Sequence, residues 1–303
     1  MSTPLSDVTS DSSAAAHAGL RLLAIHAHPD DESSKGAATM ARYADEGCEV
    51  MVLTCTGGER GSILNPQMDR PGVAEHMHEI RIEEMAQAAE ILGVQHRWLG
   101  YIDSGLPEGD PLPPLPEECF ALADTAEATA KVVAVIREFR PHVIITYDEN
   151  GGYPHPDHIK THAVSMRAWD VSGDPDYRPD LGTPWTVQKL YYTHGFIRRR
   201  FELLARAEEE RGNVTASSVL ERWNDVPDIM PRVTTQIACA PWFARRDAAL
   251  RAHATQIDPD GPFFAVATDI QENVWPTEEF ELAASRVETT VPEDDLFAGV
   301  VPD

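Results

Sequence analysis

Apolar residues along this chain alternate between short unbroken runs and stretches of helical period, and that alternation sets the expected fold. Arg21 to His26 is the first run and reads as a short buried strand. "GAATMARYADEGCE" follows, with Ala37, Met40, Ala41 and Ala44 at helical spacing and Gly47 as a stop. "EVMVLTCT" is a second strand, apolar and β-branched. After the loop "GGERGSILNPQMDRPG", a long helix is expected from Glu75 to Leu92. Gly93 closes it, and Ile80, Ile82, Met85, Ala89 and Leu92 are its apolar positions. "HRWLGY" reads as a third strand, proline-rich Pro107–Pro116 as loop, Thr125–Phe139 as helix and "HVIITY" as a buried strand.

Beyond His158 the pattern weakens. "KLYYTHGF" reads as another strand, Phe201 to Arg211 as a charged helix, and Asn213 to Asp228 has no clear period. "RRDAALRAHATQ" predicts a helix from about Trp242 to Gln256, and "PTEEFELAAS" a further helix from its composition. Strands alternating with helices predict an α/β fold, a mostly parallel sheet flanked by helices on both faces. Ligands of such sheets bind outside the carboxyl ends of the strands.

Composition narrows the partners. The 303 residues suffice for one large α/β domain or two modest ones. A formal net charge of −25, from 25 basic and 50 acidic residues, disfavours nucleic acid and anionic membrane surfaces as partners. No apolar run approaches the ~20 residues of a membrane span. The small, polar residues 1–20 have no basic start and no long apolar centre, so a disordered leader is expected there instead of a secretory signal. Cys48, Cys55, Cys119 and Cys239 form no C-x-x-C pair, which fits a thiol-keeping cytoplasm.

Two polar clusters carry the chemistry. "IHAHPDDES", Ile25 to Ser33, follows the first strand, and "DENGGYPHPDH", Asp148 to His158, follows "HVIITY". Each ends a strand at the same predicted edge, so the two can meet in space. His28 and Asp31 are separated by two residues across a turn at Pro29, and the second cluster adds His155 and His158. Two histidines and one carboxylate with an open fourth position are the protein part of a catalytic zinc site. Asp30 then stands beside the ligands as a general base, with Tyr153 and His155 across the pocket as donors to an oxyanion. His26 and His142, flanked by strand residues, read as structural. No G-x-G-x-x-G follows the first strand, which argues against a nucleotide binder.

"HAHPDDES" together with "GGYPHPDH" resembles the LmbE/PIG-L-type zinc deacetylases, which hydrolyse amides of N-acylated amino sugars. The resemblance implies a Rossmann-like sheet with the metal at its carboxyl edge, and one catalytic domain over residues 21–303 whose part from about 186 completes the substrate cleft. It implies Zn2+, with Fe2+ as the other ion such a donor set accepts, held by His28, Asp31 and His158. It further implies Asp30 as general base, Tyr153 and His155 as transition-state stabilisers, and Asp157 as a carboxylate tuning His155. "TGGERGSILNP", "YIDSGLP", "LRAHATQIDP" and "WPTEEFELA" are similar to the branch of the family that acts on mycothiol S-conjugates. That branch implies hydrolysis of the amide between an S-substituted N-acetylcysteine and glucosaminyl-inositol. The sister activity is deacetylation of N-acetylglucosaminyl-inositol, and a non-catalytic sugar binder on the same fold is a third reading. Arg81, Asp103 and Lys35 are the expected substrate contacts. Glu59 and Arg60 are candidates for the pocket wall, His253 for a supporting contact, and "PFFAV" with Trp275 for an apolar cleft.

Overall fold

The structure, a computed structural model, describes residues 16–213 and 228–303. Seven strands form one sheet in the order β3-β2-β1-β4-β5-β7-β6. They are β1 (Arg21–His26), β2 (Glu49–Thr56), β3 (Gln95–Tyr101), β4 (Val143–Thr146), β5 (Lys189–His194), β6 (Thr235–Ala238) and β7 (Thr277–Ser285). β1 to β5 run parallel, while β7 pairs antiparallel with both β5 and β6. Leu23 pairs with Met51 on one side and Ile144 on the other, so the central strands are flanked on both edges.

The central runs are unbroken because both faces of the sheet are covered. On one face Leu23, Ile25, Leu53 and Ile144 pack with Val132, Val133 and Ile136 of α4 (Thr125–Phe139) and Val164 of α5 (Pro156–Val171). On the other, Leu22, Ala24, Val50, Val52 and Ile145 pack with Met40 and Tyr43 of α2 (Ala37–Asp45) and Met85 of α3 (Met77–Leu92). Gly93 ends α3 with a positive φ of 75°, the left-handed turn that glycine tolerates. The inward face of α3 is unlike the expected one: Ile82 is exposed, while Arg81 and Glu84 are buried. That face serves the site as well as the core. The remaining helices are α1 (Asp31–Ser34), α6 (Arg198–Glu210), α7 (Phe243–Ala252) and α8 (Thr268–Val274).

The stretch "PTEEFELAAS", expected to be helical, is strand β7. Its glutamates favour a helix locally, but tertiary pairing overrides propensity. β7 fills the slot between β5 and β6, and its buried Glu278 accepts the Ala38 and Thr39 backbone N–H groups at 3.2 and 2.8 Å. These donors open α2, whose N-cap Gly36 has no side chain to offer, so a carboxylate from a distant strand serves the helix start. Helix α5 and strand β6 were not expected from the apolar pattern; Pro156 at the first turn of α5 was the available signal.

Of the expected leader, residues 1–15 lie outside the described residues, and His17 is buried against Glu46 (2.9 Å) and Asp295 (3.1 Å). The stretch without period, Asn213 to Asp228, lies almost wholly outside them too. All four cysteines are buried and free. Among the described residues no helix is long and apolar enough to cross a membrane.

Candidate active site

β1 and β4 are neighbours in the sheet, but the chain goes from β1 to β2 on one side and from β4 to β5 on the other. Loops leaving the carboxyl ends of such a pair diverge and open a crevice between them. His28 and Asp31 come from the first loop and the start of α1, His158 from the first turn of α5. His28 Nδ1 lies 3.2 Å from His158 Nε2, and Asp31 Oδ2 lies 3.5 and 3.4 Å from those two nitrogens. A cation with tetrahedral N/O ligands at roughly 2.0–2.2 Å requires donors roughly 3.3–3.6 Å apart. The three atoms come within about 0.1 Å of that spacing. The nitrogens of His28, His155 and His158 also approach one another within 4.8 Å, as do donor atoms of His28, Asp103, His155 and Asp157.

The far side of each donor is fixed. His158 Nδ1 donates to Gly151 O at 2.9 Å, which leaves its Nε2 lone pair facing the centre. Gly151 has φ 72°, and a Cβ there would sit 2.6 Å from His158 Cβ, so only glycine allows this approach. His28 Nε2 lies 3.3 Å from Asp103 and 3.4 Å from Asp157. Burial pushes the His28 ring down, but hydrogen bonds donated by the ring to the Asp103, Asp157 and Asp31 carboxylates outweigh it and hold the ring well above its ordinary value. Asp31 accepts from Tyr147 Oη at 2.7 Å, from the His28 backbone N–H at 3.0 Å and from Lys35 Nζ at 2.7 Å. Burial pushes the Asp31 carboxyl up, yet the charges of His158 and Lys35 keep it well below the usual carboxylate range. Tyr147 also stacks on the His158 ring, with centroids 4.4 Å apart.

Asp30 is held by a different apparatus. Its backbone is strained, with φ 117° at a residue that carries a Cβ. The Glu32 carboxylate accepts the Asp30 N–H at 2.9 Å, and Arg81 donates to Asp30 Oδ2 at 3.0 Å and to Pro29 O. Arg81 also donates to Gly58 O at 2.8 Å, and a Cβ at Gly58 would collide with the guanidinium. Glu32 in turn meets the His253 ring at 2.7 Å. Burial pushes the Asp30 carboxyl above its ordinary value, against the pull of Arg81.

Across the crevice, Tyr153 is 37% exposed and its ring lies 4.6 Å from that of His158. Burial of its inner edge and the Asp31 charge push the phenol up, so it keeps its proton. His155 caps α5: its Nδ1 accepts the Asp157 N–H at 3.2 Å, which puts the ring proton of the neutral form on Nε2. Burial, together with the neighbouring His28, pushes this ring down to about 3.

The structure thus brings His28, Asp30, Asp31, Tyr153, His155, Asp157 and His158 into one crevice. It treats the expected substrate contacts differently. Arg81 is 2% exposed and directed at the Asp30 turn. Lys35 is bonded to Asp31, and Asp103 accepts from the Arg60 and Gly105 N–H groups at 3.1 and 2.8 Å while flanking His28. Each has protein partners here, since a buried crevice must satisfy its own charges. Asp157, expected to tune His155, accepts the Ser104 N–H at 2.7 Å and lies beside His28; its bond to His155 runs through its backbone N–H. Glu59 accepts the Asp103 N–H at 3.2 Å and Arg60 donates to Asp103 O at 2.7 Å. His142 accepts the Arg21 N–H at 3.1 Å, and His26 is fully buried at the end of β1. Sequence reasoning missed Tyr147 and Glu32. Both sat inside the quoted stretches, but Tyr147 read as the last residue of a strand and Glu32 was given no role within the first polar cluster.

The family described as PIG-L, GlcNAc-PI de-N-acetylase, matches residues 23–169, the span that contains both loops. The chain is 57% identical to the mycothiol S-conjugate amidase of Streptomyces coelicolor, over 93% of this chain and 97% of that protein. It is 46% identical to the 1D-myo-inositol 2-acetamido-2-deoxy-alpha-D-glucopyranoside deacetylase of Geodermatophilus obscurus, over 92% and 98% of the two chains. Among solved structures, the N,N'-diacetylchitobiose deacetylase of Pyrococcus horikoshii shares the fold, with a TM-score of 0.58 and 19% identity over 86% of this chain and 83% of that one. The crevice between β1 and β4 therefore sits in a known setting: the chain belongs to the PIG-L family of amide hydrolases.

Proposed function

We propose that this protein hydrolyses the amide joining an S-substituted N-acetylcysteine to glucosaminyl-inositol, using zinc held by His28, Asp31 and His158. The products are a mercapturic acid and the free amino sugar. The observation that carries the reading is the trio of donor atoms 3.2–3.5 Å apart with the Asp30 carboxylate beside it. The substrate class is supported by the 57% identity to a relative named for mycothiol S-conjugates. Iron(II) suits the same donors. Residues 21–303 act as one catalytic domain, and the part from about 186 completes the cleft, because β5, β7 and β6 continue the sheet that carries the crevice.

A divalent cation in this site polarises the amide carbonyl and acidifies water. Asp30 takes a proton from the attacking water, and its raised affinity for that proton suits the task. Tyr153 donates to the carbonyl oxygen as it gains negative charge, and the His155 Nε2–H is a second donor. Asp30 then passes the proton to the departing amine nitrogen as the C–N bond breaks. Arg81 aims Asp30 by holding the strained turn. Asp103 and Asp157 fix His28, and Lys35 and Tyr147 fix Asp31. Lys35, Arg81 and Asp103 reach substrate through the groups they position.

A second reading, deacetylation of N-acetylglucosaminyl-inositol, is favoured by the 46% identity to a deacetylase and uses the same groups on a smaller acyl chain. Turnover of a bimane S-conjugate and of the acetylated sugar by the metal-loaded protein separates the two. The conjugate is expected to have the higher kcat/KM; preference for the acetylated sugar overturns the proposal.

A further inference from the structure

A second space lies beside the crevice without sharing its ligands. A cavity of about 330 Å³ is bounded by α6, α7, Pro262–Val266, Trp275 and the junction of α1 and α2. Its wall is mainly apolar, with Phe201 and Leu204 from α6, Phe243 and Leu250 from α7, and Phe263 and Val266 from the loop. The cations that reach it have protein partners. Arg200 donates to Gly195 O and lies 3.5 Å from Glu279. Arg246 bonds Asp247 and Gln271 at 2.8 and 2.9 Å, and His194 meets Glu281 at 3.0 Å. The cavity therefore offers an entering group apolar and aromatic surface more than free charge.

Lys35 connects this cavity to the crevice. It lines the cavity, and its Nζ bonds the outer oxygen of Asp31 at 2.7 Å. The loop after β5 packs on it closely enough that a Cβ at Gly195 would touch Lys35 Cγ at 3.5 Å. Its four-carbon stem is apolar while its head is charged. The cavity and the crevice thus share the Lys35 side chain, whose reach is roughly 6 Å. In an S-conjugate the sulfur is three bonds from the scissile carbonyl carbon, about 4 Å away. A substituent on that sulfur starts one bond further out, a reach of the same order as the Lys35 side chain.

We propose that this cavity is the subsite for the apolar substituent on the conjugate sulfur, an inference that rests on the amidase reading above. The volume is at the low end for ligand pockets, enough for a fused-ring aromatic group but too small for the whole conjugate. The sugar and inositol hydroxyls belong in the polar crevice, since the cavity wall has few groups to pair with them. Ala265, half-buried in the lining, and Phe263, at an exposed position, determine which substituents fit.

The test compares metal-loaded wild type with Ala265→Trp and Phe263→Asp, using a bimane conjugate and the S-methyl conjugate as paired substrates. Ala265→Trp fills the space, and Phe263→Asp makes its rim polar at a site where folding tolerates the change. In both, the ratio of kcat/KM for bimane over methyl is expected to fall fivefold or more. A smaller change in that ratio in Phe263→Asp, or in a folded Ala265→Trp, overturns the subsite even while the amidase reading stands. Wild-type protein that cleaves the acetylated sugar in preference to both conjugates overturns the amidase reading, and the subsite with it.

Discussion

The loops that leave β1 and β4 carry related motifs, H-P-D-D and H-P-D-H, yet they are built for different work. In the β1 loop, Asp31 and Glu32 are buried and each is bonded by several protein donors, while Asp30 is tied to Arg81. In the β4 loop, His158 is equally fixed, but Tyr153 is 37% exposed and His155 keeps its Nε2–H side turned away from its capping bond. One loop is pinned so that its charges cannot relax. The other keeps donors available at the open side, where a carbonyl oxygen would gain charge. Preorganisation is thus concentrated where ligand geometry is set, and exposure where substrate must enter.

This contrast can be broken most severely at Asp31. Asp31→Ala removes one of the three closely spaced donors and is expected to abolish both stoichiometric metal binding and turnover, read by metal analysis beside an activity assay. Tyr153→Phe attacks the open side instead. It is expected to lower kcat about 10²-fold with metal content and KM nearly unchanged; a variant that loses metal but keeps kcat would erase the division between the loops. Tyr147→Phe deletes the hydroxyl that supports Asp31 at 2.7 Å and should weaken metal affinity by about 10-fold to 100-fold, seen in competition with a chelator.

The smallest effect is expected at Glu32. Although burial pushes its carboxyl up, the His253 charge holds it down at about 2, against an ordinary 4.5. A carboxyl held low in the folded state adds stability above pH 4.5 and loses it as pH falls toward 2. Glu32→Gln should therefore cost about 1–3 kcal/mol near neutrality. The gap in Tm between the two proteins should narrow from pH 5 to pH 3. A gap that stays constant with pH would mean that the Glu32–His253 pair does not brace the Asp30 turn through its charge.

The chemistry of the site was more legible than its wiring. Strand-end position and residue type were enough to bring His28 and Asp31 together with the distant His155 and His158, because clustered imidazole and carboxylate groups have few other uses at the edge of a parallel sheet; the choice of His158 over His155 came from the family resemblance. Arg81, Lys35 and Asp103 were legible as charged residues near that edge. Whether such a charge meets a ligand or another buried charge depends on packing across elements, which a linear pattern does not encode. Tyr147 escaped notice because it read as the last apolar residue of a strand, whereas it follows β4 and its hydroxyl reaches into the site. The same limit applies to the fold. Covered on both faces, β1 and β2 announced themselves by unbroken apolar runs, whereas β7 buries glutamates that are satisfied by helix α2 and by Trp275. Its local composition points to the wrong element.

The slot that β7 occupies has a consequence for how the molecule comes together. β6 precedes β7 in the chain, yet it joins the sheet through β7. During synthesis β6 emerges before the strand it must pair with, and β5 presents an open edge in the interval. Growth of the polypeptide and closure of the sheet run in opposite orders here. The cavity beside Lys35 also waits for that late strand, since Thr277, Glu278 and Glu279 of β7 are part of its lining.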